Sequence, residues 1–375
     1  MQSNSLPEKD KKLLEDLYQH AKIESERFIG YPCNLNFDYT DLLPFLRLGL
    51  NNIGDPYTSS NYHINSHALE REVVQFFAEL TGADEDYWGY VTNGGTEGNM
   101  YGLYLARELY PQGIVYYSQD THYSVNKILR ILNAKSIMIR SQDNGEMDYQ
   151  DLEETIHIKR EYVPIILANI GTTMKGAVDQ LEKILDLLKR KAVSTYYIHC
   201  DAALGGMILP FMEGAPAFGF SAGADSLSIS GHKFVGSPIP CGITMAKRRH
   251  VDRIARSIEY VGTLDTTLSG SRNGITPIFL WYTIKCMGVE KFRKAVEHCV
   301  AMTDYAIAEL RKSGWDAWRN PYSTTVVFNR PSMGLINKWQ LASYKDIAHM
   351  VIMPHVTKER VDQFIKDLQK EREKT

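Results

Sequence analysis

The sequence predicts an α/β protein that consists of a large, mostly parallel sheet domain and a smaller C-terminal α+β domain. Between residues 88 and 230, short apolar runs alternate with helical segments, which is the pattern of right-handed βαβ units. After residue 276, a long helical region is followed by strand, turn, strand and helix. A hydrophobic content of 44% over 375 residues is sufficient for a substantial core in each part.

These patterns divide the chain into a helical segment at residues 1–55, a large domain at 56–275 and a small domain at 276–375. The first segment carries apolar residues at helical spacing over residues 11–28, and Pro32 follows where the pattern stops. A helix in this position either lies across a partner subunit or packs on its own domain. A second apolar helix is predicted over residues 37–50.

Predicted strands in the large domain are short and begin after loops of small or polar residues. They cover residues 88–92, 114–118, 136–140, 165–169, 196–199 and 226–230, and helical segments such as residues 181–191 separate most of them. In the small domain, a long helix is predicted to begin at residues 278–287 and to continue over residues 289–310. A further helix is predicted at residues 359–370, with strands at 324–328 and 348–353.

Composition excludes several classes of function. The net charge of −3 gives no basic surface for nucleic acid. The five cysteines are scattered without a C-x-x-C pair, so neither a disulfide framework nor a metal site is expected. No signal-peptide core or membrane-spanning apolar stretch is evident. The sequence therefore predicts a reduced cytoplasmic protein that has no membrane partner.

A glycine-rich turn joins the first predicted strand to a helix and is a candidate anion site. Gly94 and Gly95 allow close backbone approach, and Thr96 adds a hydroxyl at the start of the helix. Free N–H groups and the helix dipole both favour a phosphate at such a position. The turn lacks the lysine of an ATP-binding loop. A plain tight turn before a helix is an equally good interpretation of this stretch alone.

Polar residues follow other predicted strands, at the edge where open α/β sheets bind ligands. His122 follows the strand at residues 114–118, the Thr172–Thr173 pair follows 165–169, and Asp201 follows 196–199. Taken singly, His122 would more often be structural, and Asp201 could equally be a helix cap or half of an ion pair. Small residues after Asp201, including Ala203, leave room for a flat ring.

Lys233 lies in the stretch SISGHKFVG, at the end of the last predicted strand of the large domain. Burial of an unpaired ammonium is costly, so a lysine in such an apolar setting tends to lose its proton. The neutral amine is the form that attacks carbonyl groups and forms Schiff bases. A surface lysine is the more common interpretation when such a residue stands alone.

Together, these residues match what pyridoxal 5′-phosphate (PLP) requires of a protein. The phosphate requires helix N–H groups and hydroxyls, the aldehyde a lysine, and the ring nitrogen a carboxylate that keeps it protonated. The ring face requires a flat partner, which His122 can supply. The sequence therefore predicts a PLP site at the carboxyl edge of the sheet.

From about residue 54 onward, the sequence resembles the group II PLP-dependent amino-acid decarboxylases, which have the fold-type-I architecture. Within this group it is most similar to the short bacterial histidine decarboxylases, followed by the plant serine decarboxylases. The motifs that carry the resemblance are WGYVTNGGTEGN, DTHYSV, ANIGTTMKGAVD, HCDAALGGMILPF, SGHKFVGSPIPCGI and GSRNGITPIFLW.

The resemblance implies a role for each residue of the predicted site. Lys233 would hold the cofactor covalently, Asp201 would pair with the pyridinium nitrogen, and His122 would stack on the ring and touch the substrate. The remaining cofactor contacts would be Gly95, Thr96, Thr173, Ala203, Ser230 and His232. Such enzymes form their sites at a dimer interface, so the loop at residues 260–274 would reach a neighbouring subunit, with Tyr260 as a candidate proton donor.

The resemblance also implies the reaction, decarboxylation of L-histidine to histamine and CO₂ by a homodimer or a higher assembly. Tyr62, His63 and Arg319 are the candidate substrate contacts. Decarboxylation of L-serine to ethanolamine, or of another small L-amino acid, is the alternative within the same chemistry. Transamination or Cα–Cβ cleavage on the same fold, and a cofactor-free scaffold, are the remaining alternatives.

Overall fold

The computed structural model describes residues 6–59, 61–258 and 263–372. The first part of the chain contains α1 (Glu8–Ser25), α2 (His67–Leu80), β1 (Tyr87–Thr92), α3 (Gly95–Leu109), β2 (Ile114–Ser118), α4 (Ser124–Ile131), β3 (Ser136–Ile139), α5 (Tyr149–Ile158), β4 (Pro164–Asn169), α6 (Leu181–Arg190), β5 (Tyr197–Asp201), β6 (Ser226–Ser230), β7 (Gly242–Lys247) and α7 (Arg248–Val251). There follow β8 (Arg256–Ile258), β9 (Thr263–Asp265), α8 (Thr276–Lys312), β10 (Ala317–Trp318), β11 (Thr325–Asn329), α9 (Met333–Lys338), β12 (Ala342–Tyr344), β13 (Ile347–Val351) and α10 (Lys358–Arg372).

The large domain is built on a seven-stranded sheet in the order β1-β7-β6-β5-β4-β2-β3. All strands run in one direction except β7, which is antiparallel to β6 and β1. Every residue of β4, β5 and β6 is buried, as expected for parallel strands that helices cover on both faces. The α/β fold predicted from the alternating pattern is confirmed.

The register of the central strands sets where the site lies. Asn169 at the end of β4 is opposite Asp201 at the end of β5, and Asp201 is opposite Ser228 in β6. Parallel neighbours end at the same edge of a sheet. The polar residues that end these three strands therefore lie side by side.

The N-terminal part differs from prediction in one place. A 3₁₀ helix at Thr40–Arg47 replaces the apolar helix predicted over residues 37–50, and it contains Pro44, which cannot donate a backbone hydrogen bond. The preceding helix, α1, has no buried residue. Over the described ranges, no helix is both long and apolar enough to cross a membrane.

The small domain packs a four-stranded antiparallel sheet, in the order β10-β11-β13-β12, together with α8, α9 and α10. Helix α8 corresponds to the long helix predicted over residues 278–310, but it is broken at Gly288 (φ 58°, ψ 175°). Ile29 accepts a hydrogen bond from the Val351 N–H at 2.8 Å, so the chain before the large domain docks on the end of β13. The division at residues 55 and 275 stays a prediction.

Candidate active site

A pocket of about 200 Å³ opens at the carboxyl edge of the sheet, between the large domain, the small domain and the segment before α2. All nine predicted cofactor residues line it: Gly95, Thr96, His122, Thr173, Asp201, Ala203, Ser230, His232 and Lys233. Their positions in the sequence are far apart, and the ends of β1, β2, β4, β5 and β6 bring them together.

The start of α3 forms one end of the pocket. The N-cap residue Gly94 adopts φ 145°, and no side chain caps the helix. The first backbone N–H groups of a helix have no partner within it and attract anions. A Cβ atom on Gly95 would come within 2.9 Å of Ser230 Oγ, so only glycine lets the end of β6 approach so closely. This arrangement can hold a phosphate between Thr96 and Ser230.

Asp201 is buried at the end of β5, and its oxygens accept hydrogen bonds from neutral donors. Asn99 Nδ2 donates to Oδ2 at 2.7 Å, and the Ala203 N–H donates to Oδ1 at 3.2 Å. No lysine, arginine or histidine of residues 6–59, 61–258 or 263–372 forms an ion pair with it. A buried carboxylate normally requires a cationic partner. This donor set therefore leaves a position for a positively charged ligand atom.

His199 fixes the orientation of Asn99 from the other side. Because Asn99 donates to Asp201, its Oδ1 atom faces His199 Nε2 at 3.0 Å, and Nε2 must carry the hydrogen. Ser226 Oγ then donates to His199 Nδ1 at 2.7 Å. Burial lowers the pKa of His199 to about 4, although the charge of Asp201 opposes the shift. His199 is therefore neutral, and a chain of oriented hydrogen bonds supports Asp201.

Lys233 lies in a wide helical turn, Gly231–Val235, directly after β6. Burial lowers the pKa of its ammonium, and the charge of Asp201 only partly opposes this shift. Within the part of the chain that the structure describes, no side chain hydrogen-bonds or forms an ion pair with Lys233 Nζ. The lysine is therefore biased toward the neutral amine that reacts with an aldehyde.

Two histidines face the same pocket, and each is held through Nδ1. Ser124 donates to His122 Nδ1 from its hydroxyl at 2.7 Å and from its backbone N–H at 3.3 Å, so the His122 hydrogen is on Nε2. His232 Nδ1 donates to the Cys241 carbonyl at 2.8 Å. Burial lowers the pKa of both rings. Both therefore favour the neutral state, with Nε2 left for a ligand.

The structure does not bring the predicted substrate contacts to this pocket within one chain. Tyr62 donates its hydroxyl to the Gly49 carbonyl at 2.9 Å, and the neighbouring His63 is exposed. Arg319 pairs with Asp304 at 2.9 Å, and its guanidinium also faces the Ser323 carbonyl at 3.4 Å. Substrate binding by these three side chains stays a prediction. Tyr260 lies outside the described residues.

Several lining residues were missed by the sequence analysis. Asn99 lies one helical turn after Gly95, and that spacing on α3 could have identified it. The far wall consists of Tyr31, Pro32, Leu204, Ala342, His349 and Val351. His349 faces the Met174 and Gly30 carbonyls, each at 3.0 Å. No local pattern marks this wall, because its segments are hundreds of residues apart in the chain.

The residues present fit PLP. Its phosphate matches the uncapped start of α3, its ring nitrogen matches the buried carboxylate without a cation, and its aldehyde matches Lys233. When bound, PLP supplies an electrophilic carbon for amines and a ring that withdraws electrons from the bond to be broken.

Comparison with known proteins identifies close relatives over nearly the whole chain. The family described as "Pyridoxal-dependent decarboxylase conserved domain" matches residues 65–329. The histidine decarboxylase of Mesorhizobium japonicum is 46% identical over 97% of this chain and 98% of its own length. The histidine decarboxylase of Morganella morganii is 48% identical over 91% of each chain.

Solved structures give the same result for the fold. L-Methionine decarboxylase from Streptomyces sp. 590 superposes with a TM-score of 0.88 at 25% identity, covering 98% of this chain and 97% of the other. Glutamate decarboxylase from Lactobacillus brevis superposes with a TM-score of 0.81 at 16% identity. The superposition covers 100% of this chain and 94% of the other. The fold-type-I architecture and the group resemblance inferred from the motifs are confirmed. Because the family match covers residues 65–329 and the relatives align over almost their whole length, the chain belongs to the pyridoxal-dependent decarboxylase family.

Proposed function

We propose that this protein is a PLP-dependent decarboxylase that converts L-histidine to histamine and CO₂. The observation that carries the substrate is the 46–48% identity to bacterial histidine decarboxylases over 91–97% of the chain. The pocket at the carboxyl edge of the sheet supports the chemistry, because it unites a desolvated lysine with a buried carboxylate.

Each site residue has a role that follows from its surroundings. Lys233, whose neutral amine is favoured by burial, would hold the cofactor at its aldehyde carbon. Asp201 would hold a proton on the ring nitrogen, with Asn99 keeping the carboxylate oriented. His122 would use its Nε2–H group as a hydrogen-bond donor to the substrate or to the cofactor ring.

The wall that contains Tyr31, Leu204 and Val351 would exclude water from the reacting atoms. Tyr31, Leu204 and Val351 place apolar surface there, and His349 ties the small domain to the segment that carries Tyr31. A dry site strengthens the interaction between Asp201 and a cationic ring. The substrate side chain would lie against this wall, since the sheet edge is taken up by the cofactor contacts.

The test is amine release by the cofactor-loaded protein given L-histidine, L-serine and L-methionine at equal concentration. We expect histamine as the dominant amine and none from Lys233→Ala. Lys285→Ala is the matched control, because Lys285 is an exposed lysine that pairs with Glu72 on the surface. Ethanolamine as the main product would overturn the substrate and keep the chemistry. A keto acid or aldehyde without CO₂ would overturn decarboxylation.

We further propose that the protein is a homodimer or a higher assembly of dimers. The apolar residues of α1 support this, since Leu13, Leu14 and Leu17 are 67%, 55% and 62% exposed. An apolar face of this kind on a monomer normally marks an interaction site. Leu13→Asp with Leu17→Asp should weaken self-association in sedimentation velocity, and a fully active wild-type monomer would contradict the proposal.

We propose a cytoplasmic location for the enzyme. Cys33, Cys200, Cys241, Cys286 and Cys299 are all free thiols in the structure, as a reducing compartment requires. Cell fractionation followed by detection of the protein would test this, and recovery from an oxidising compartment would contradict it.

A further inference from the structure

The turn that carries Lys233 does not satisfy its own backbone. In a turn of the π type, each carbonyl pairs with the N–H five residues later, and the Gly231 carbonyl finds that partner in Gly236. The turn ends at Val235, so the carbonyls of Lys233 and Phe234 have no helical donor. Buried carbonyls without donors are costly, so the partners of these two groups determine where the lysine is held.

Asn34 supplies both donors from a distant part of the chain. Its backbone N–H donates to the Lys233 carbonyl at 3.0 Å, and its Nδ2 atom donates to the Phe234 carbonyl at 3.1 Å. The side chain is 8% exposed. A Cβ on Gly236 would come within 3.2 Å of Asn34 Nδ2, so the contact is closely packed.

The orientation of this amide is fixed by a second contact. The Asn36 N–H donates to Asn34 Oδ1 at 2.9 Å, which leaves Nδ2 toward the Phe234 carbonyl. This contact is an Asx turn, in which an asparagine side chain accepts a hydrogen bond from the backbone N–H two residues later. An amide side chain at position 34 can accept a hydrogen bond from the Asn36 N–H and donate one to the Phe234 carbonyl at the same time.

The segment that carries Asn34 is in turn held by the small domain. His355 Nδ1 accepts from the Leu35 N–H at 3.2 Å, and its Nε2 atom donates to the Phe28 carbonyl at 3.1 Å. Val351 donates to the Ile29 carbonyl at 2.8 Å. Asn34 therefore links the small domain to the lysine turn, in addition to the direct packing of α8 on that turn.

We propose that Asn34 is a positioning residue that holds the backbone of Lys233 so that its amine reaches one fixed point in the pocket. The inference rests on the role of Lys233 proposed above. Without the Asn34 amide, the Phe234 carbonyl loses its donor, and the lysine turn moves away from the segment that carries residue 34. The Lys233 amine would then reach the aldehyde carbon of the cofactor less often, while the contact of His349 with the Gly30 carbonyl would still hold the part of the wall that contains Tyr31.

The test compares Asn34→Ala and Asn34→Asp with the control Asn36→Ala. The control removes an exposed side chain and keeps the backbone N–H that donates to Asn34 Oδ1. Asn34→Asp keeps the acceptor for Asn36 and loses the donor to Phe234, so it remains informative if Asn34→Ala does not fold. We expect kcat to fall about tenfold in either Asn34 variant, with KM changed less than about twofold. Release of PLP, followed by absorbance after dilution of the holoenzyme, should be about tenfold faster.

If Asn34 only stabilises the fold, both Asn34 variants will have a lower melting temperature, but the kcat and PLP release rate of their folded fraction will equal those of Asn36→Ala. That result would overturn the proposal. Borohydride reduction followed by peptide mapping separates the two assumptions. If the wild-type label is not on the Lys233 peptide, the role of Lys233 itself fails. If the label is on that peptide and both Asn34 variants behave as the control does, only the positioning role fails.

Discussion

Two buried aspartates on adjacent strands of the central sheet have opposite surroundings. Asp201 ends β5 at the pocket and, among the residues that the structure describes, receives hydrogen bonds from the Asn99 amide and the Ala203 N–H alone. Asp225 precedes β6 at the other edge and accepts from Lys247 Nζ at 2.8 Å and from His250 Nε2 at 3.1 Å. Asp225 thus has cationic partners within the protein, whereas Asp201 faces a pocket in which a bound ligand would supply the cation.

The pKa of Asp225 reflects this balance. Burial by itself raises the pKa of the carboxyl, but the hydrogen bonds from His250 and Lys247 and the charge of Lys247 outweigh it and lower the pKa overall. Asp225 is thus a satisfied ion pair before any ligand binds. A buried carboxylate without such a cation is informative as a sign of a cofactor site when, like Asp201, it lines a pocket at the carboxyl edge of the sheet.

The largest expected effect is that of Asp201→Asn. The amide cannot hold a proton on the ring nitrogen, so kcat should fall by about 10²- to 10³-fold, the scale of losing one preorganised electrostatic contact. The melting temperature of the cofactor-free protein should hardly change, because Asp201 forms no ion pair within the described ranges of the chain. Steady-state kinetics and calorimetry would check this, and near-normal kcat would show that another group serves the ring nitrogen.

Asp225→Asn should give the opposite pattern, a loss of stability with kcat per folded molecule within about twofold of wild type. The free energy of unfolding should fall by about 2 kcal/mol, less than for a fully buried pair because Lys247 keeps 19% of its side chain exposed. Asp86→Asn is the control, since its pair with Arg249 is exposed and contributes at most about 0.5 kcal/mol. Urea denaturation at pH 7 measures both, and equal losses would contradict the distinction.

A third buried aspartate, Asp179, sharpens the comparison through its pH dependence. Its donors are neutral, namely the Met147 and Asn169 N–H groups and the Asn169 amide. Burial raises the pKa of Asp179 to about 6 against an ordinary value of 3.8. Its contribution to stability is therefore complete below about pH 4 and is lost as the pH rises through about 6.

Asp179→Asn should remove this part of the pH dependence. Between pH 4 and pH 7, wild type should lose about 1–3 kcal/mol of stability relative to the variant, because the unfolded chain releases its proton first. Urea denaturation curves of both proteins at the two pH values give the difference. Parallel pH profiles for the two proteins would mean that Asp179 is ionised in the folded state near pH 4.

The smallest expected effect is that of Asn99→Ala. Asp201 keeps its charge and the Ala203 N–H but loses its shorter hydrogen bond, so kcat should fall by about three- to tenfold. The His199 ring also loses its Nε2 acceptor. A loss as large as that of Asp201→Asn, measured by the same assay, would indicate that Asn99 itself contacts the reacting groups.

The core of the fold could be predicted because its signals are local. Strands β2 and β6 were predicted with their observed bounds, since each is a short apolar run between polar loops. Strand β7 was missed because it is antiparallel to β6 and no helix separates the two, so it breaks the alternating pattern. Strands β10 and β12 are two and three residues long, too short for a periodic pattern.

The same distinction holds within the site. Asp201 and His122 follow apolar strands, and a polar residue at that position is visible in the sequence. His199 lies inside an apolar strand, and a polar side chain at such a position is a signal that could have identified it. The wall formed by Tyr31 and His349 depends on a contact between segments 319 residues apart, which no local spacing encodes.

That long-range contact has a consequence for how the enzyme is made. Closing a chain segment of this length is entropically slow, and the contacts that depend on it form late in folding. The segment near residue 30 cannot dock until β13 has been synthesised, so a ribosome-bound chain would build the sheet with Lys233 before its supports arrive. Cofactor capture in its final geometry is thus expected to be among the last events of biosynthesis.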